Sequence, residues 1–184
     1  MEKKNIKIAQ VTLSILKNKN WQKINTKEIK DKCKIKSFDE IIKNEQDLLK
    51  LINEYFDFKL SINSEYIEKS SNKDMIFEVI MMRFDILQDY RKSVISIYSS
   101  FKKKPKNLIL LLPHLIDSII LMLSYAKFST KGIFGQIKIK AILIIYISTF
   151  LVWIKDESDS LEKTMTALDN YLDYAGKILK LVSK

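Results

Sequence analysis

Apolar residues recur at intervals of three and four along most of this chain, which is the spacing of amphipathic helices. The first stripe comprises Ile6, Ala9, Leu13 and Leu16. Helix starts are marked by a small polar residue with an acid three positions later: Asn25 with Glu28, Ser37 with Glu40, Asn44 with Asp47, Ser71 with Asp74, and Asp159 with Glu162. These patterns predict a small three-helix head over residues 1–45 and a helical body over 46–184, connected by a long helix over 46–70.

The second half of the chain predicts longer and more apolar helices. One is expected over residues 91–101, and Pro105 is well placed in the first turn of another that reaches about Lys127. Pro113 should bend that helix because it lacks a backbone N–H. A further helix over 133–154 is apolar nearly all round, so we expect a second subunit to cover its outer face. The fold class predicted is all-α.

Charge is concentrated near the beginning of the chain. Of the net charge of +10, residues 1–36 contribute 11 Lys against three acids. Such an excess favours an anionic partner, either nucleic acid phosphate or lipid headgroup. The alternative is that Lys is simply the default surface residue of a chain rich in Lys, Ile and Asn.

Cysteine content and apolar run lengths indicate the compartment. The single Cys33 excludes an internal disulfide and suggests a reducing environment. Residues 1–20 do not have the pattern of a signal peptide. The longest apolar run, Ala141–Ile154, is 14 residues, shorter than the roughly 20 that span a bilayer. We therefore expect a soluble, cytoplasmic protein.

Catalytic and metal-binding patterns are weak. His114 is the only histidine and follows Pro113 in an apolar segment; Asp117 lies about one turn further on. No Cys/His cluster suggests a metal and no Gly-rich loop suggests a phosphate site. The sequence predicts a protein that is not an enzyme and has neither a metal nor a cofactor.

The head resembles the DNA-binding domain of TetR-family repressors. The matching features are the stripe from Ile6 to Leu16, Trp21, the segment Thr26–Cys33, Ile35 at the position of the turn Val, and Asp47-Leu48-Leu49. This resemblance implies a helix-turn-helix, with Lys27, Lys30, Lys34, Lys36 and Ser37 as candidate DNA or phosphate contacts. Two features depart from the family: Lys34 replaces the usual turn Gly, and Lys36–Ile42 has no aromatic at the place where the family's recognition helix carries one. A head kept only for packing is the alternative.

The body carries a second resemblance. Met82-Arg83-Phe84-Asp85, Tyr90-Arg91, Trp153, Asp156, Ser158, Asp159, Thr164 and Leu168-Asp169 resemble the C-terminal domain of the coenzyme Q biosynthesis accessory proteins (the ninth Coq protein). That family is built on a TetR-like fold. The resemblance implies a non-enzymatic protein that holds a lipid or prenyl quinone in a helical pocket and assists ubiquinone biosynthesis.

The resemblance suggests two sets of apolar residues. The candidate ligand pocket comprises Phe84, Leu87, Leu111, Leu115, Ile119, Met122, Ile142, Tyr146 and Phe150, which in the alternative interpretation are ordinary core. The candidate dimer seam comprises Leu143, Ile147, Leu151, Leu168 and Leu172. We expect Arg83 and Asp85 to form a pair or cap contact on a helix surface.

Two functions therefore remain open. The first is a lipid-binding accessory protein of ubiquinone biosynthesis, a homodimer with peripheral contact to the inner membrane through the Lys102–Lys106 loop. The second is a TetR-family transcriptional regulator that binds DNA through residues 25–43 and a small apolar effector in the same pocket.

Overall fold

The computed structural model describes residues 1–64, 70–101 and 105–182, with side chains described up to Lys177. Over these ranges the chain is helical and contains no strand, so the predicted all-α class is confirmed. The helices are α1 (Lys3–Leu16), α2 (Thr26–Cys33), α3 (Phe38–Ile41), α4 (Glu45–Asn63), α5 (Asn72–Asp89), α6 (Arg91–Phe101), α7 (Pro105–Tyr125), α8 (Gly132–Trp153) and α9 (Glu162–Val182), with a 3₁₀ turn at Trp21–Lys23.

Several helix starts follow the capping pairs in the sequence. In α4 the amide of Asp47 donates to the side-chain oxygen of Asn44, while the Asp47 carboxylate accepts from the Asn44 amide. In α5 the amide of Asp74 donates to the hydroxyl of Ser71. These reciprocal bonds satisfy amides that have no partner within the helix.

Three predictions need correction. Ser37 makes no side-chain bond to the start of α3, which is a single turn. The amides of Glu162 and Thr164 in the first turn of α9 donate to the side chains of Ser158 and Asp156, respectively. Asp159 is not their acceptor, because the loop folds back over the helix start. The connecting helix ends at Asn63, and residues 65–69 of its predicted length lie outside the described residues.

The chain separates into two compact units, Met1–Ile62 with Asp85–Ser118, and Asn63–Phe84 with Ile119–Lys184. In the first unit α1 contacts α2 and α6. The hydroxyl of Ser93 in α6 donates to the carbonyl of Leu13 at 2.7 Å, and the amide of Trp21 donates to Ser96 at 2.9 Å. Ala9, Leu13 and Leu16 of the α1 stripe and the Trp21 ring are buried there, as their spacing predicts, whereas Ile6 is half-buried.

A buried polar network joins α4 to α7 within the first unit. The side-chain amide of Asn53 donates to the hydroxyl of Ser118 at 2.9 Å and to the carbonyl of His114 at 3.2 Å. Ser118 in turn donates to the carboxylate of Asp57 at 2.8 Å. Because buried polar groups are costly without partners, this network fixes the position of α7 along α4.

The second unit is built on the packing of α8 against α9. The preceding turn closes α7 with a Schellman arrangement. The amide of Phe128 donates to the carbonyl of Leu123 at 2.8 Å, and the amide of Lys127 donates to the carbonyl of Ser124 at 3.0 Å. Lys127 itself has a φ of 61°, the left-handed conformation that this motif requires.

Candidate functional site

The predicted pocket residues are mostly core. Phe84, Leu87, Ile119, Met122, Ile142 and Tyr146 are buried, whereas Leu111, Leu115 and Phe150 are half-buried. Leu87, Leu111 and Leu115 belong to the first compact unit and the other six to the second.

An aromatic cluster occupies the centre of the second unit. The Phe84 ring stacks on Tyr146 with 5.3 Å between ring centroids. Trp153 lies 6.3 Å from Phe84 and 5.4 Å from Phe150 by the same measure. Phe84 and Trp153 are completely buried. Phe84, Tyr146 and Phe150, three of the predicted pocket residues, are therefore in this cluster of direct ring contacts.

The segment from Met82 to Arg91, which carries part of the resemblance to the coenzyme Q accessory proteins, has a different environment from the one predicted. Arg83 is buried and Asp85 is exposed, so Arg83 does not lie on the helix surface where we expected it. The Tyr90 hydroxyl lies 3.0 Å from that of Tyr55. Burial, together with this hydrogen bond to Tyr55, raises the pKa of Tyr90. Tyr90 is therefore a neutral, structural phenol.

Asp156, Ser158 and Thr164, which carry the later part of the same resemblance, form a cap for α9. One carboxylate oxygen of Asp156 accepts from Ser158, and the other accepts from Thr164. Burial raises the pKa of Asp156, but the hydrogen bonds from Ser158 and Thr164 outweigh it and hold this pKa at about 2. All bonds described for this carboxylate remain inside the turn, so its geometry is that of a helix cap rather than a ligand anchor.

The predicted DNA contacts lie on α2, on the turn and before α3. Lys27, Lys34 and Lys36 are exposed, and Lys30 and Ser37 are half-buried. Lys30 forms an ion pair with Asp39 of α3. Lys34 has a φ of 52°, so this non-Gly residue adopts the left-handed conformation at the position where TetR-family turns have Gly.

The predicted seam residues divide by burial. Ile147 and Leu151 are exposed and Leu143 is half-buried, all on α8. Leu168 and Leu172 of α9 belong to this chain's own core, because their side chains face inward from the helix. A seam would therefore have to be formed mainly by α8, and the seam itself stays a prediction.

Large apolar side chains are exposed along α7 and α8. The sequence analysis anticipated an apolar outer face on α8, which it assigned to a second subunit, but not the exposed face on α7. On α7 they are Leu108, Ile109, Leu110, Leu112 and Ile120; on α8 they are Ile133, Phe134, Ile137, Ile144, Ile147 and Leu151. Both helices are long and apolar enough to cross a membrane by length and composition alone, and an 18-residue stretch of each has a mean hydropathy of 2.0 and 1.6, respectively. Core helices of soluble proteins can meet the same criterion. The sequence signal was available in the runs Leu108–Leu112 and Ile133–Phe134, but exposure depends on what packs against them.

Three open grooves lie on the surface of the described residues, and none of the three is lined by a predicted pocket residue. The groove along α9 measures about 640 Å³ and is lined by Glu162, Lys163, Thr166, Ala167, Asn170, Tyr171 and Tyr174. Within the same part of the chain, no group of three His, Cys, Asp or Glu side chains could hold a metal ion.

Comparison with known proteins places the chain in no family. No family model matches it, and no curated protein matches it.

Proposed function

We propose that this protein binds the hydrocarbon chain of an apolar lipid and catalyses no reaction, as its resemblance to the coenzyme Q accessory family implies. The observation that supports this most directly is the first half of α7. Ile109 is 68% exposed, and Leu108, Leu110 and Leu112 beside it are exposed as well. A helix segment this apolar needs an apolar partner, since uncovered patches of this kind mark binding surfaces.

The lipid site that we propose lies along α7 rather than in the interior behind Phe84 and Tyr146. Those two rings already contact each other, and a lipid would have to separate them. Leu111 and Leu115, both among the predicted pocket residues, are half-buried on α7 and are available to extend the surface. The Asn53–Ser118 hydrogen bond anchors the far end of this stretch and keeps the apolar surface in a fixed position.

The side chains of α7 limit the kind of ligand. From Leu108 to Ile116 the sequence contains no Asp, Glu, Lys or Arg. Lys106 and Asn107 precede this stretch and are suited to a polar or anionic head. An isoprenoid or fatty chain with a small polar head fits this order of residues. The ubiquinone pathway is the setting that the resemblance suggests.

Lipid extraction followed by mass spectrometry tests this proposal. Purified wild-type protein should yield an apolar lipid or take up an added prenyl quinone. The double variant Ile109→Ser with Leu112→Ser should lose about tenfold or more in affinity, because each removed side chain contributes roughly 1.5 kcal/mol when covered. Ile62→Ser, at an exposed apolar residue of α4, is the matched control. Wild-type protein that is free of lipid and takes up no prenyl quinone would contradict the proposal.

A TetR-like dimer is also part of the proposal. Ile144, Ile147 and Leu151 are exposed on α8 at spacings of three and four, so they form one stripe. Light scattering should give the mass of two chains. The double variant Ile147→Lys with Leu151→Lys should give the mass of one, since each seam would bury four unpaired charges.

The regulator remains the second candidate because α2, the left-handed turn at Lys34 and α3 have the order of a helix-turn-helix. Its geometry is less favourable. With four residues, α3 is about 6 Å long, and it carries exposed Asp39 and Glu40 where phosphates would approach. Discrete genomic binding peaks at a palindrome would favour a repressor. Binding that only fades with added salt would indicate phosphate attraction alone.

A further inference from the structure

The turn between α7 and α8 has a conformation that depends on two of the chain's three glycines. Gly132 has a φ of +68°, which L side chains rarely adopt. A Cβ atom on Gly135 would lie 2.1 Å from the carbonyl carbon of Thr130, so the loop backbone passes directly over the first turn of α8. A side chain at either position would therefore be strained or would clash with this backbone.

This turn presents the two most exposed large apolar side chains of the described part of the protein. Ile133 is 80% exposed and Phe134 is 78% exposed. Ile137, one turn further along α8, is also exposed. Single exposed apolar residues are common, but two adjacent ones at a helix start, continued by a third, form an interaction surface.

The charged residues near these side chains in the sequence have one sign. Between Asp117 and Asp156 the sequence contains five Lys and no acid. Lys131 precedes the exposed pair, and Lys138 and Lys140 follow it along α8. The ammonium group of Lys138 lies 5.7 Å from the centre of the Phe128 ring. The apolar tip, defined as Ile133, Phe134 and Ile137, is thus bordered by cations with no acidic residue near it in sequence.

We propose that the apolar tip inserts into the surface of an anionic lipid bilayer, with the bordering lysines on the lipid phosphates. Apolar and aromatic side chains beside lysines are the arrangement by which helices bind at the headgroup boundary. Lys140 follows Phe134 by about 9 Å along the helix axis. This length matches an insertion that stops near the headgroups, because Lys140 would otherwise enter the hydrocarbon.

Charge also decides against the other occupants of this surface. A second copy of the chain, placed tip to tip, would bring Lys131 and Lys140 against the same lysines of the other copy. A nucleic acid would pair with these lysines but would leave Ile133 and Phe134 in water. Lys140 also interrupts the apolar stripe between Ile137 and Ile144, and it separates the tip from the proposed dimer stripe. An anionic membrane offers an apolar environment to the tip and phosphate groups to the bordering lysines.

This inference does not depend on the lipid site proposed on α7. The apolar tip belongs to the second compact unit, whereas Leu108–Leu112 belongs to the first. Extraction of a bound lipid tests one surface and attachment to vesicles tests the other. Either result can fail while the other stands.

Vesicle flotation with the full chain tests the membrane proposal. Wild-type protein should float with phosphatidylcholine vesicles that contain phosphatidylglycerol and should float much less with phosphatidylcholine alone. Phe134→Ser should weaken attachment to anionic vesicles by about tenfold or more. Lys140→Gln should weaken it by about fivefold. Ile62→Ser, which removes an exposed apolar side chain of α4 outside the tip, should bind as the wild type does.

A tryptophan at the tip adds a direct reading of insertion. Phe134→Trp should show a blue shift of its emission with anionic vesicles, and Ile62→Trp should not. Three results would overturn the proposal: equal flotation of wild type and Phe134→Ser, equal flotation with neutral and anionic vesicles, or a vesicle-independent dimer that Phe134→Ser converts to a monomer. The last result would assign the tip to a second copy of the chain.

Discussion

The carboxylate of Asp156 accepts two hydrogen bonds from Thr164, from its backbone amide at 2.8 Å and from its hydroxyl at 2.7 Å. Asp156 follows α8 and Thr164 lies in the first turn of α9, so this pair links the ends of two neighbouring helices. The spacing of Asp156, Ser158 and Thr164 in the sequence signature is therefore explained by helix capping. That part of the resemblance reports on the fold rather than on a ligand.

This cap makes the free energy of unfolding depend on pH in the acidic range. Because the pKa of Asp156 is held at about 2 in the folded chain, below its unfolded value near 3.9, its contribution is present above about pH 4. The contribution is lost as pH falls towards 2. We expect Asp156→Asn to lower the free energy of unfolding at pH 7 by about 2 kcal/mol. Urea titrations should show that the difference from wild type shrinks on acidification. A difference that stays constant down to pH 2 would contradict this assignment.

Two glycines should respond to alanine in opposite directions. Gly135→Ala places a Cβ against the backbone of Thr130, so we expect a loss of about 1–3 kcal/mol in unfolding free energy. Gly176 lies in α9 with open space around its Cβ position, and Gly176→Ala should stabilise by about 0.5–1 kcal/mol. Thermal unfolding of both variants checks the pair, and equal effects would refute the close approach at Gly135.

The left-handed conformation at Lys34 should be relieved by glycine. Lys34→Gly is expected to stabilise the first unit by about 1 kcal/mol, since the left-handed conformation is unfavourable by roughly this amount for residues with a Cβ atom. Lys36→Gly is the control; its φ is not positive, so glycine there should give no gain. Urea unfolding measures both variants, and a loss of stability in Lys34→Gly would show that the side chain contributes more than its strain costs.

The aromatic cluster should behave as core and the apolar tip as surface. Phe84→Ala removes a fully buried ring stacked on Tyr146, and it should cost about 3–5 kcal/mol. Phe134→Ala removes a ring that is 78% exposed, and it should change stability by at most about 0.5 kcal/mol. Denaturant unfolding distinguishes the two. A small effect at Phe84 would mean that the interior tolerates space and would favour the original pocket.

Local patterns predicted the helices well, because each depends on neighbours within a turn or two. The capping pairs at Asn44 and Ser71 located the starts of α4 and α5, and Pro105 located the start of α7. The cap of α9 was missed because Asp156 reaches across a loop of eight residues to Thr164. The burial of Arg83 was missed for a similar reason, since the periodicity of α5 does not reveal which helices pack against it.

The sequence by itself determined the all-helical class, most helix starts, the positive charge and the position of the apolar segments, since these follow from residue identity and spacing. Only the tertiary structure decided which apolar side chains are covered. It paired Phe84 with Tyr146 inside the second unit and left Ile133 and Phe134 exposed, although all four are equally apolar or aromatic in the sequence. Burial depends on contacts between distant segments, and periodicity along one helix carries no information about its partners.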